Sequence, residues 1–381
     1  MKQTISRFLS RKVVADAHAE FEIYLDGNPG GLNVLIFTEY INATYYISFD
    51  IPLRRLHAKG EVNLAVVSQQ FVAGKGVGCW EQWLQLFQPD VVVMTRYGHE
   101  YGIGILEYFK SQNVPVIYHI DDDLLNIPDT LGSEIRKRQG ADGVIETRRY
   151  LMQRADIIYA STSYLSSLLQ KRFPKQDIVH GIYAPYMGEE IEVADDDGFQ
   201  PQIIGYMGSK GHQKDLELVV PALERLLDER SGLRFEVFGT IRMPEQLEKF
   251  GRRIISRSVQ KSYLEFLKTL SCLSWTVGIA PLADEPFNRC KAPTKFVEYT
   301  ACGIPTVASN LPVYSEAIPR DGGKLVADDW YSSITMFLDV HKMRRLSLSI
   351  SRKYCATNFS VSILEKQLKD IFSKSKGLKK G

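Results

Sequence analysis

Three charged side chains lie at spacings that would put them on one face of a helix. Lys291, Lys295 and Glu298 are four and three residues apart in the segment KAPTKFVEYTACGIPTVAS, residues 291–309, and residues at such spacings are neighbours on a helix. The helix would follow the apolar run Val277–Ala280, so we expect it to begin at the edge of a parallel sheet where ligands bind. A lysine near the start of a helix opposes the helix dipole unless an anion is bound there.

This arrangement predicts a site for a phosphorylated ligand. The two lysines would face a diphosphate, and the carboxylate one turn later would accept hydrogen bonds from the two hydroxyls of a ribose. The alternative is an exposed ion pair, which contributes less than about 0.5 kcal/mol to stability.

A second candidate loop, GSKGHQKD at residues 208–215, comes directly after the apolar run Ile203–Met207. Glycines let a backbone approach a ligand closely, and the free N–H groups at the start of a following helix suit a diphosphate. The basic side chains could add hydrogen-bond donors, whereas the alternative is a solvated loop that caps a helix. The candidate ligand-binding residues of this loop are Gly208, Ser209, Lys210, His212 and Lys214.

Three consecutive aspartates follow the apolar run Val114–Ile120. Crowded carboxylates raise one another's pKa, which suits a general base. The alternatives are a Mg²⁺ or Mn²⁺ site, since these ions prefer oxygen ligands, and a helix cap or turn, where aspartate is favoured. A histidine after the run Val91–Met94 is a second candidate base, although a lone histidine is more often structural. The candidate catalytic residues are therefore Asp121, Asp122, Asp123 and His99.

The composition indicates an ordinary globular protein. The chain has 381 residues, of which 44% are hydrophobic and 24% charged, and its net charge of +2 does not call for a nucleic-acid partner. The five cysteines include no CxxC pair, which argues against a zinc site or a disulfide framework and fits a reducing compartment. No run of about 18 apolar residues is present, and the N-terminus lacks the apolar core of a signal peptide. We therefore expect a cytoplasmic protein.

Short apolar runs alternate with helix-like segments along most of the chain. This alternation predicts an α/β fold with parallel sheets that are covered on both faces. It is interrupted at the acidic segment MGEEIEVADDDGFQPQ, residues 187–202, which we interpret as a linker. A chain of this length can form two cores, so we predict two Rossmann-like domains, residues 1–190 and 200–345, followed by a helical segment with a basic tail at residues 346–381.

The segments IGYMGSKGHQKDLELVVPALERLL and FNRCKAPTKFVEYTACGIPTVAS resemble the donor-binding domain of GT-B glycosyltransferases. The resemblance is greatest to bacterial family-4-like (group 1) enzymes that build surface polysaccharides, and it is good over about residues 200–325. It implies two Rossmann-like domains that face a cleft, with the last helix returning toward the first domain. It also implies that Glu298, which precedes GIPTVAS, binds the ribose of a nucleotide, and that basic groups of the 208–214 loop hold the diphosphate.

The chain departs from the family pattern at two positions. Ser209 stands where the family has an arginine, although Gly208 and Lys214 keep the family spacing. Cys290 stands where the family has the first of two glutamates. Either Lys291 or Lys295 would supply the missing charge, and the departures concern the sugar contacts and the stereochemistry more than the nucleotide site.

The resemblance implies a hexosyl- or deoxyhexosyltransferase. It would move a sugar from a nucleotide-diphosphate donor to a hydroxyl of a glycan or lipid-linked acceptor, bound by the first domain, in the synthesis of O-antigen or capsule. No metal or other cofactor is expected, because cationic side chains stabilise the leaving diphosphate. Basic helices could contact anionic lipid at the inner face of the plasma membrane, or they could be solvated. The residues concerned are Arg136, Lys137, Arg138, Arg148, Arg149 and Arg154.

Three other functions are compatible with parts of the sequence. A GT-B nucleotide-sugar epimerase would consume the donor without an acceptor. A catalytically inactive GT-B partner or scaffold protein would keep the fold and bind nucleotide weakly. A Rossmann-type dehydrogenase is disfavoured, because GxGxxG follows neither of the two first strands.

Overall fold

The computed structural model describes residues 19–188, 201–258 and 262–378. These residues form two compact units: unit 1 comprises residues 19–127, 137–183 and 362–378, and unit 2 comprises residues 128–136, 184–188, 201–258 and 262–361. The sequence-based boundaries, which keep residues 1–190 together, do not separate the 128–136 segment. The linker predicted at residues 187–202 lies mostly outside the described residues, as does the end of the basic tail.

Unit 1 is built on a seven-stranded sheet. Its strands are β1 (Ile23–Leu25), β2 (Leu32–Thr38), β3 (Val62–Ser68), β4 (Val91–Thr95), β5 (Val116–Ile120), β6 (Ile157–Ala160) and β7 (Ile178–His180). Their order in the sheet is β1-β3-β2-β4-β5-β6-β7. β1 runs antiparallel to β3, and all other neighbouring strands are parallel.

Unit 2 is built on a six-stranded sheet. Its strands are β8 (Ile203–Gly208), β9 (Arg234–Gly239), β10 (Ile254–Arg257), β11 (Val277–Ala280), β12 (Thr306–Ser309) and β13 (Lys324–Val326). Their order is β10-β9-β8-β11-β12-β13, and every neighbouring pair is parallel. This is the strand order of a Rossmann fold.

Helices connect the strands of both sheets. In chain order they are α1 (Ala43–Tyr45), α2 (Ile51–Ala58), α3 (Gln69–Lys75), α4 (Trp80–Phe87), α5 (Tyr101–Ser111), α6 (Ser133–Gln139), α7 (Asp142–Arg154), α8 (Ser163–Arg172), α9 (Gln213–Glu217), α10 (Val220–Glu229), α11 (Tyr263–Ser271), α12 (Pro286–Arg289), α13 (Thr294–Ala301), α14 (Pro312–Ser315), α15 (Trp330–Asp339), α16 (His341–Asn358) and α17 (Val361–Gly377). A π-helical turn, Tyr46–Asp50, joins α1 to α2. Segments of 3-10 helix cover Asp129–Leu131, Lys210–His212 and Glu245–Arg253.

The central strands explain why apolar runs in the sequence predicted the strands of the sheets. All residues of β3, β4, β5 and β6 are buried, because helices cover both faces of a parallel sheet. Such strands are continuous apolar runs in the sequence, and the predicted α/β fold is confirmed.

Two features of the fold were not predicted. The edge strands β1, β10 and β13 are short and partly exposed, so they lack a continuous apolar run. The helical segment between β8 and β9 is divided into two helices, α9 and α10. Pro221 is the second residue of α10, and a proline favours the start of a helix because it has no N–H to donate to the preceding turn.

The last helix, α17, packs onto the sheet of unit 1. Leu364 and Leu368 are fully buried in the same core as the strands β2, β3 and β4. Glu365 pairs with Arg55 at 2.7 Å and with Lys59 at 2.5 Å. Apolar contacts on one face and ion pairs along its side therefore fasten α17 to residues that lie some 300 positions earlier in the chain.

We expect Leu368→Ala to lower the free energy of unfolding by about 2–5 kcal/mol, because it leaves a cavity in the core of unit 1. Urea denaturation followed by circular dichroism measures this loss. Lys366→Ala is the matched control on the same helix, since it breaks only an exposed ion pair with Asp370 and should change stability by less than about 0.5 kcal/mol. Equal effects of the two substitutions would contradict the packing of α17.

Candidate functional site

In the parallel part of each sheet there is one place where the chain order of neighbouring strands changes direction. Ligands of such folds bind at the carboxyl ends of the two strands that flank this switch point. In unit 2 the point lies between β8 and β11, and in unit 1 it lies between β2 and β4. The loops that follow these strands therefore hold the candidate sites, and each site is described within its own unit.

The loop after β8 turns tightly. The Gly208 carbonyl accepts hydrogen bonds from the N–H groups of Thr240 at 3.1 Å and Ile241 at 3.2 Å. Gly239 has a φ of +132°, and a Cβ atom there would lie 2.1 Å from the Gly208 oxygen, so only glycine fits. Lys210 begins the 3-10 turn, and its N–H donates to Thr240 Oγ1 at 3.2 Å. Residues that directly follow the neighbouring strand β9 therefore hold the backbone of this loop in place.

Asp215 joins this loop to the loop after β11. Its Oδ2 lies 2.7 Å from Nδ1 of His212, and its Oδ1 accepts the N–H of Ala283 at 2.8 Å and the side-chain amide of Asn288 at 3.1 Å. Asp215 is buried, whereas 17% of the His212 side chain is exposed. Because a carboxylate only accepts hydrogen bonds, Nδ1 of His212 carries the proton.

The His212 ring is neutral at pH 7. Burial lowers its pKa, and the positive charges of Lys295 and Lys291 lower it further, against the opposing effect of Asp215. Burial alone would raise the pKa of Asp215, but the hydrogen bonds from His212 and from the Ala283 N–H, together with the charge of Lys295, outweigh that effect and lower it. The pair is therefore an ionised carboxylate and a neutral imidazole whose Nε2 holds a lone pair.

Helix α13 carries Lys295 and Glu298. Glu298 is buried, and the Tyr263 hydroxyl donates to its Oε1 at 2.7 Å. Burial raises the pKa of Glu298 to about 7, although the hydrogen bond from Tyr263 and the charge of Lys295 act in the other direction. Lys295 is the second residue of the helix, and its Nζ lies 5.6 Å from the centre of the Tyr206 ring. Burial lowers the pKa of Lys295 to about 8.

Lys291 is not on this helix, so the prediction that all three residues share one helical face is wrong. α12 ends at Arg289, and Pro293 stands immediately before α13. Lys291 lies in the turn between the two helices, with its Nζ 4.8 Å from the centre of the Phe287 ring. Its charge nevertheless contributes to the lowered pKa of Lys295, so the two ammonium groups are close enough to repel each other.

Three other candidate residues, those at positions 209, 210 and 214, lie at the surface. Ser209 and Lys210 are exposed. Lys214 forms an ion pair with Glu285, and half of its side chain is exposed. Cys290 is buried, and its Sγ donates to the Pro286 carbonyl at 3.4 Å. The structure therefore groups His212, Lys291 and Lys295 with Glu298, and it places Lys210 and Lys214 at more solvated positions.

In unit 1 a guanidinium joins the ends of three strands. Nη1 of Arg96, after β4, lies 2.7 Å and 2.9 Å from the two carboxylate oxygens of Asp121, after β5. Nε of Arg96 lies 3.1 Å from Oε2 of Glu39, after β2. Arg96 has a positive φ of 53°, a backbone conformation that costs about 1–2 kcal/mol in a residue other than glycine. The buried ion pairs hold the residue in this conformation.

The prediction that crowding raises the pKa of the aspartates is wrong for Asp121. The buried carboxylate also accepts hydrogen bonds from Thr44 Oγ1 and the Tyr183 hydroxyl, each at 3.0 Å. Burial alone would raise its pKa, but the charge of Arg96 and these hydrogen bonds outweigh that effect and lower it. A carboxylate stabilised in its ionised form is a poor acceptor of a substrate proton.

The other two aspartates have different surroundings. Asp123 is buried and forms a two-pronged ion pair with Arg172, in which Nη2 lies 2.8 Å from Oδ2. Asp122 is the most exposed of the three, with 20% of its side chain accessible, and its Oδ2 lies 3.6 Å from Nη1 of Arg96. Arginines from two different segments therefore compensate the carboxylates. In the described part of the chain, no cluster of three or more His, Cys, Asp or Glu side chains could hold a metal ion.

His99 belongs to a separate hydrogen-bonded group. Its Nδ1 accepts the N–H of Tyr101 at 3.2 Å, and its own N–H donates to Gln69 Oε1 at 3.1 Å. The ring packs edge-on against Tyr101, with 4.5 Å between the ring centres. These contacts involve none of the three aspartates, and a role of His99 as a base stays a prediction.

The basic segments do not form one continuous face. Arg148 is buried, and its Nη1 donates to the Gln139 carbonyl at 2.9 Å, so its assignment to a lipid-facing surface is wrong. Arg154 pairs with Glu107. Within residues 19–188, 201–258 and 262–378, no helix has both the length and the apolar character needed to cross a bilayer.

Three residues that shape these sites were missed in the sequence. Tyr263 acts on Glu298, which lies 35 residues away along the chain, so no local pattern marks it. Asp215 had a local signal, because it follows His212 by three residues, but its contact with Ala283, 68 residues away, had none. Arg96 had a usable signal, because it directly follows the apolar run of β4, as Asp121 follows β5.

We expect Arg96→Gln to lower the free energy of unfolding by about 3–5 kcal/mol, since it leaves two buried carboxylates without their charged partner. The matched control is Arg154→Gln, which removes an exposed ion pair and should cost less than about 1 kcal/mol. Both are measured by urea denaturation at pH 7. Equal losses in the two variants would contradict the central position of Arg96.

The raised pKa of Glu298 predicts that stability depends on pH. Between the ordinary glutamate value and about 7, the folded protein keeps a proton that the unfolded chain has released, so the contribution of this group to stability falls as pH rises. Glu298→Gln removes this dependence. We therefore expect the stability of the wild type to fall relative to Glu298→Gln by about 2–4 kcal/mol between pH 4.5 and pH 8. Parallel stability profiles in that range would contradict a raised pKa.

Comparison with known proteins identifies the fold. No protein-family model matches the sequence, and no curated protein matches it. Among solved structures, HepE of Anabaena in complex with UDP and glucose has a TM-score of 0.60 and 14% identity, covering 89% of this chain and 99% of that chain. A glycosyltransferase from Rickettsia africae has a TM-score of 0.61 and 12% identity, covering 91% and 98%.

A UDP-forming α,α-trehalose-phosphate synthase from Burkholderia xenovorans is also similar, with a TM-score of 0.55 and 11% identity over 90% of this chain and 99% of that chain. These similarities extend over both units and agree with the two parallel sheets of seven and six strands. The chain therefore has the α/β fold with two Rossmann-like units that is called GT-B.

Proposed function

We propose that the protein is a glycosyltransferase that uses a nucleotide-diphosphate sugar as its donor. The observation that carries the proposal is the placement of Lys295 and Glu298 on one helix at the strand-order reversal of unit 2. HepE, which shares the fold, was crystallised with UDP and with UDP-glucose. A nucleotide in this chain would occupy the loops after β8 and β11.

The side chains in unit 2 suit the parts of such a donor. The positive charges of Lys295 and Lys291 would face the diphosphate, with His212 beside them. The turn after Gly208 would bring the backbone close to the diphosphate. Glu298, held by Tyr263 at 2.7 Å, would accept hydrogen bonds from the ribose hydroxyls. Lys210 and Lys214 would reach the ligand from the surface, and Lys214 would first have to leave Glu285.

The reaction breaks the bond between the sugar carbon and the diphosphate oxygen and forms a bond from that carbon to an acceptor oxygen. The leaving diphosphate takes the bonding electron pair, and its negative charge is stabilised by the lysines. We expect these side chains to suffice without a metal ion. The acceptor hydroxyl loses its proton, and if the reaction inverts the sugar carbon, a general base must take that proton.

We assign the role of base to Asp122 among the four candidates. Its carboxylate is more exposed than those of Asp121 and Asp123, which form closer ion pairs with Arg96 and Arg172. His99 is the second candidate. Its Nδ1 accepts the N–H of Tyr101, so Nε2 carries the proton in the neutral ring, and Nδ1 would have to leave Tyr101 to accept a substrate proton. The acceptor would thus bind to unit 1 at the carboxyl ends of β4 and β5.

The finer assignment rests on the resemblance of the sequence to family-4-like enzymes. It makes the acceptor a glycan or a lipid-linked glycan, the sugar a hexose or deoxyhexose, and the process the synthesis of a cell-surface polysaccharide. Peripheral contact with the inner face of the plasma membrane would fit such an acceptor. Arg148 does not contribute to that contact, because it is buried.

A thermal-shift panel of UDP, GDP, dTDP, CMP and ADP tests the donor site. A ligand that binds only the folded protein raises the melting temperature, so we expect one nucleotide to stabilise the wild type. Glu298→Gln keeps an acceptor for the Tyr263 hydroxyl but removes the carboxylate, and we expect it to weaken binding of that nucleotide about 10- to 100-fold, as for the loss of a hydrogen bond to a charged group.

The matched control is Glu316→Gln, an exposed position in the same unit, which should leave the shift unchanged. Incubation of the stabilising nucleotide's sugar conjugates with and without candidate acceptors then separates transfer from epimerisation, because an epimerase converts the donor when no acceptor is present. No stabilisation of a well-folded sample by any nucleotide would overturn the proposal and favour an inactive partner protein.

A further inference from the structure

The His212–Asp215 pair adds a titratable group to the candidate diphosphate site. His212 belongs to the 3-10 turn after β8, and Asp215 belongs to α9. Besides Asp215, the charged groups that act on the ring are Lys291 in the turn before α13 and Lys295 at the start of α13. With Nδ1 committed to Asp215 at 2.7 Å, Nε2 is the nitrogen that a ligand can reach.

In the free protein this nitrogen holds a lone pair. The ring is buried to more than four-fifths of its surface and lies beside two ammonium groups, so a third positive charge is unfavourable there. A lone pair cannot donate to a phosphate oxygen and repels it instead. A diphosphate, however, brings at least two negative charges to the same place and reverses the electrostatic balance.

We propose that His212 takes up a proton when a nucleoside diphosphate binds, and that Asp215 positions the ring so that the new N–H group donates to the diphosphate. The imidazolium would then supply the cation that Ser209 does not supply. Asp215 is a positioning residue, because it holds Nδ1 and also fixes the loop at Ala283 and Asn288. This inference rests on the proposed donor site and adds to it a proton that is linked to binding.

The proposal predicts how affinity varies with pH. Where binding takes up one proton, linkage makes the association constant fall about tenfold for each unit by which the pH rises. Three other groups contribute at pH 7, and substitution of His212 leaves all three in place. Glu298, with a pKa of about 7, is about half protonated and would release about half a proton when the ribose hydroxyls donate to its carboxylate. Lys295 has a pKa of about 8 and is therefore about nine-tenths protonated already, and the terminal phosphate of UDP, with a pKa near 6, is about nine-tenths ionised. The contributions of these last two groups are each about 0.1 proton and opposite in sign.

Isothermal titration calorimetry with UDP at pH 7, in two buffers of different ionisation enthalpy, measures the number of protons taken up. UDP is the first probe because HepE binds it, and GDP is the second. We expect the wild type to take up about one proton more than His212→Gln, which keeps a donor but cannot titrate. His180→Gln, an exposed position in unit 1, makes the same exchange elsewhere and should behave as the wild type.

A second measurement covers the case in which His212→Gln no longer binds UDP. Imidazole ¹⁵N NMR of the wild type at pH 7 should show one histidine, identified by its absence from the spectrum of His212→Gln, changing from the neutral Nδ1–H form to imidazolium when UDP is added. Equal proton uptake by the wild type and His212→Gln, or a ring that stays neutral when UDP binds, would overturn this inference alone. No binding of UDP or GDP, together with a negative result in the nucleotide panel, would overturn the proposed function and this inference with it.

Discussion

The pairing of buried charges is the constraint on which both candidate sites depend. An ionised group in the interior costs several kcal/mol unless it meets a partner, and the strand ends carry several such groups. In unit 1 Arg96 satisfies Glu39 and Asp121, and so joins the loops after β2, β4 and β5. In unit 2 Asp215 joins the loop after β8 to the loop after β11. The contacts that compensate charge therefore also fix the geometry of the loops.

The fold could be predicted from the sequence where burial leaves a recognisable run of apolar residues along the chain. A strand buried on both faces, such as Val91–Thr95, is an uninterrupted apolar run. The edge strand Ile254–Arg257 is half exposed, so its composition does not distinguish it from a loop. The order of the strands is set by contacts between distant segments, and only its Rossmann-like outcome was expected from the alternation of strands and helices.

The position of each site could be predicted better than its contacts. Strand ends located the 208–215 loop, the aspartates and the segment around Lys295. The partners of these residues, however, come from elsewhere: Arg96 precedes Asp121 by 25 residues, and Ala283 follows Asp215 by 68. The error about Lys291 had a local cause. Spacing alone suggested a continuous helix, whereas Pro293 permits a helix to begin after it but not to run through it.

The two sites differ in how their charges are balanced, and this difference indicates where an anion binds. In unit 1 the carboxylates of Asp121 and Asp123 are matched by the guanidinium groups of Arg96 and Arg172. In unit 2 the two ammonium groups near His212 face one ionised carboxylate, Asp215, and one carboxyl whose pKa is raised to about 7. Burial lowers the pKa of His212, and that positive potential lowers it further. An anionic ligand would relieve this potential, and this supports the proposal that the donor diphosphate binds to unit 2 and a neutral hydroxyl acceptor to unit 1.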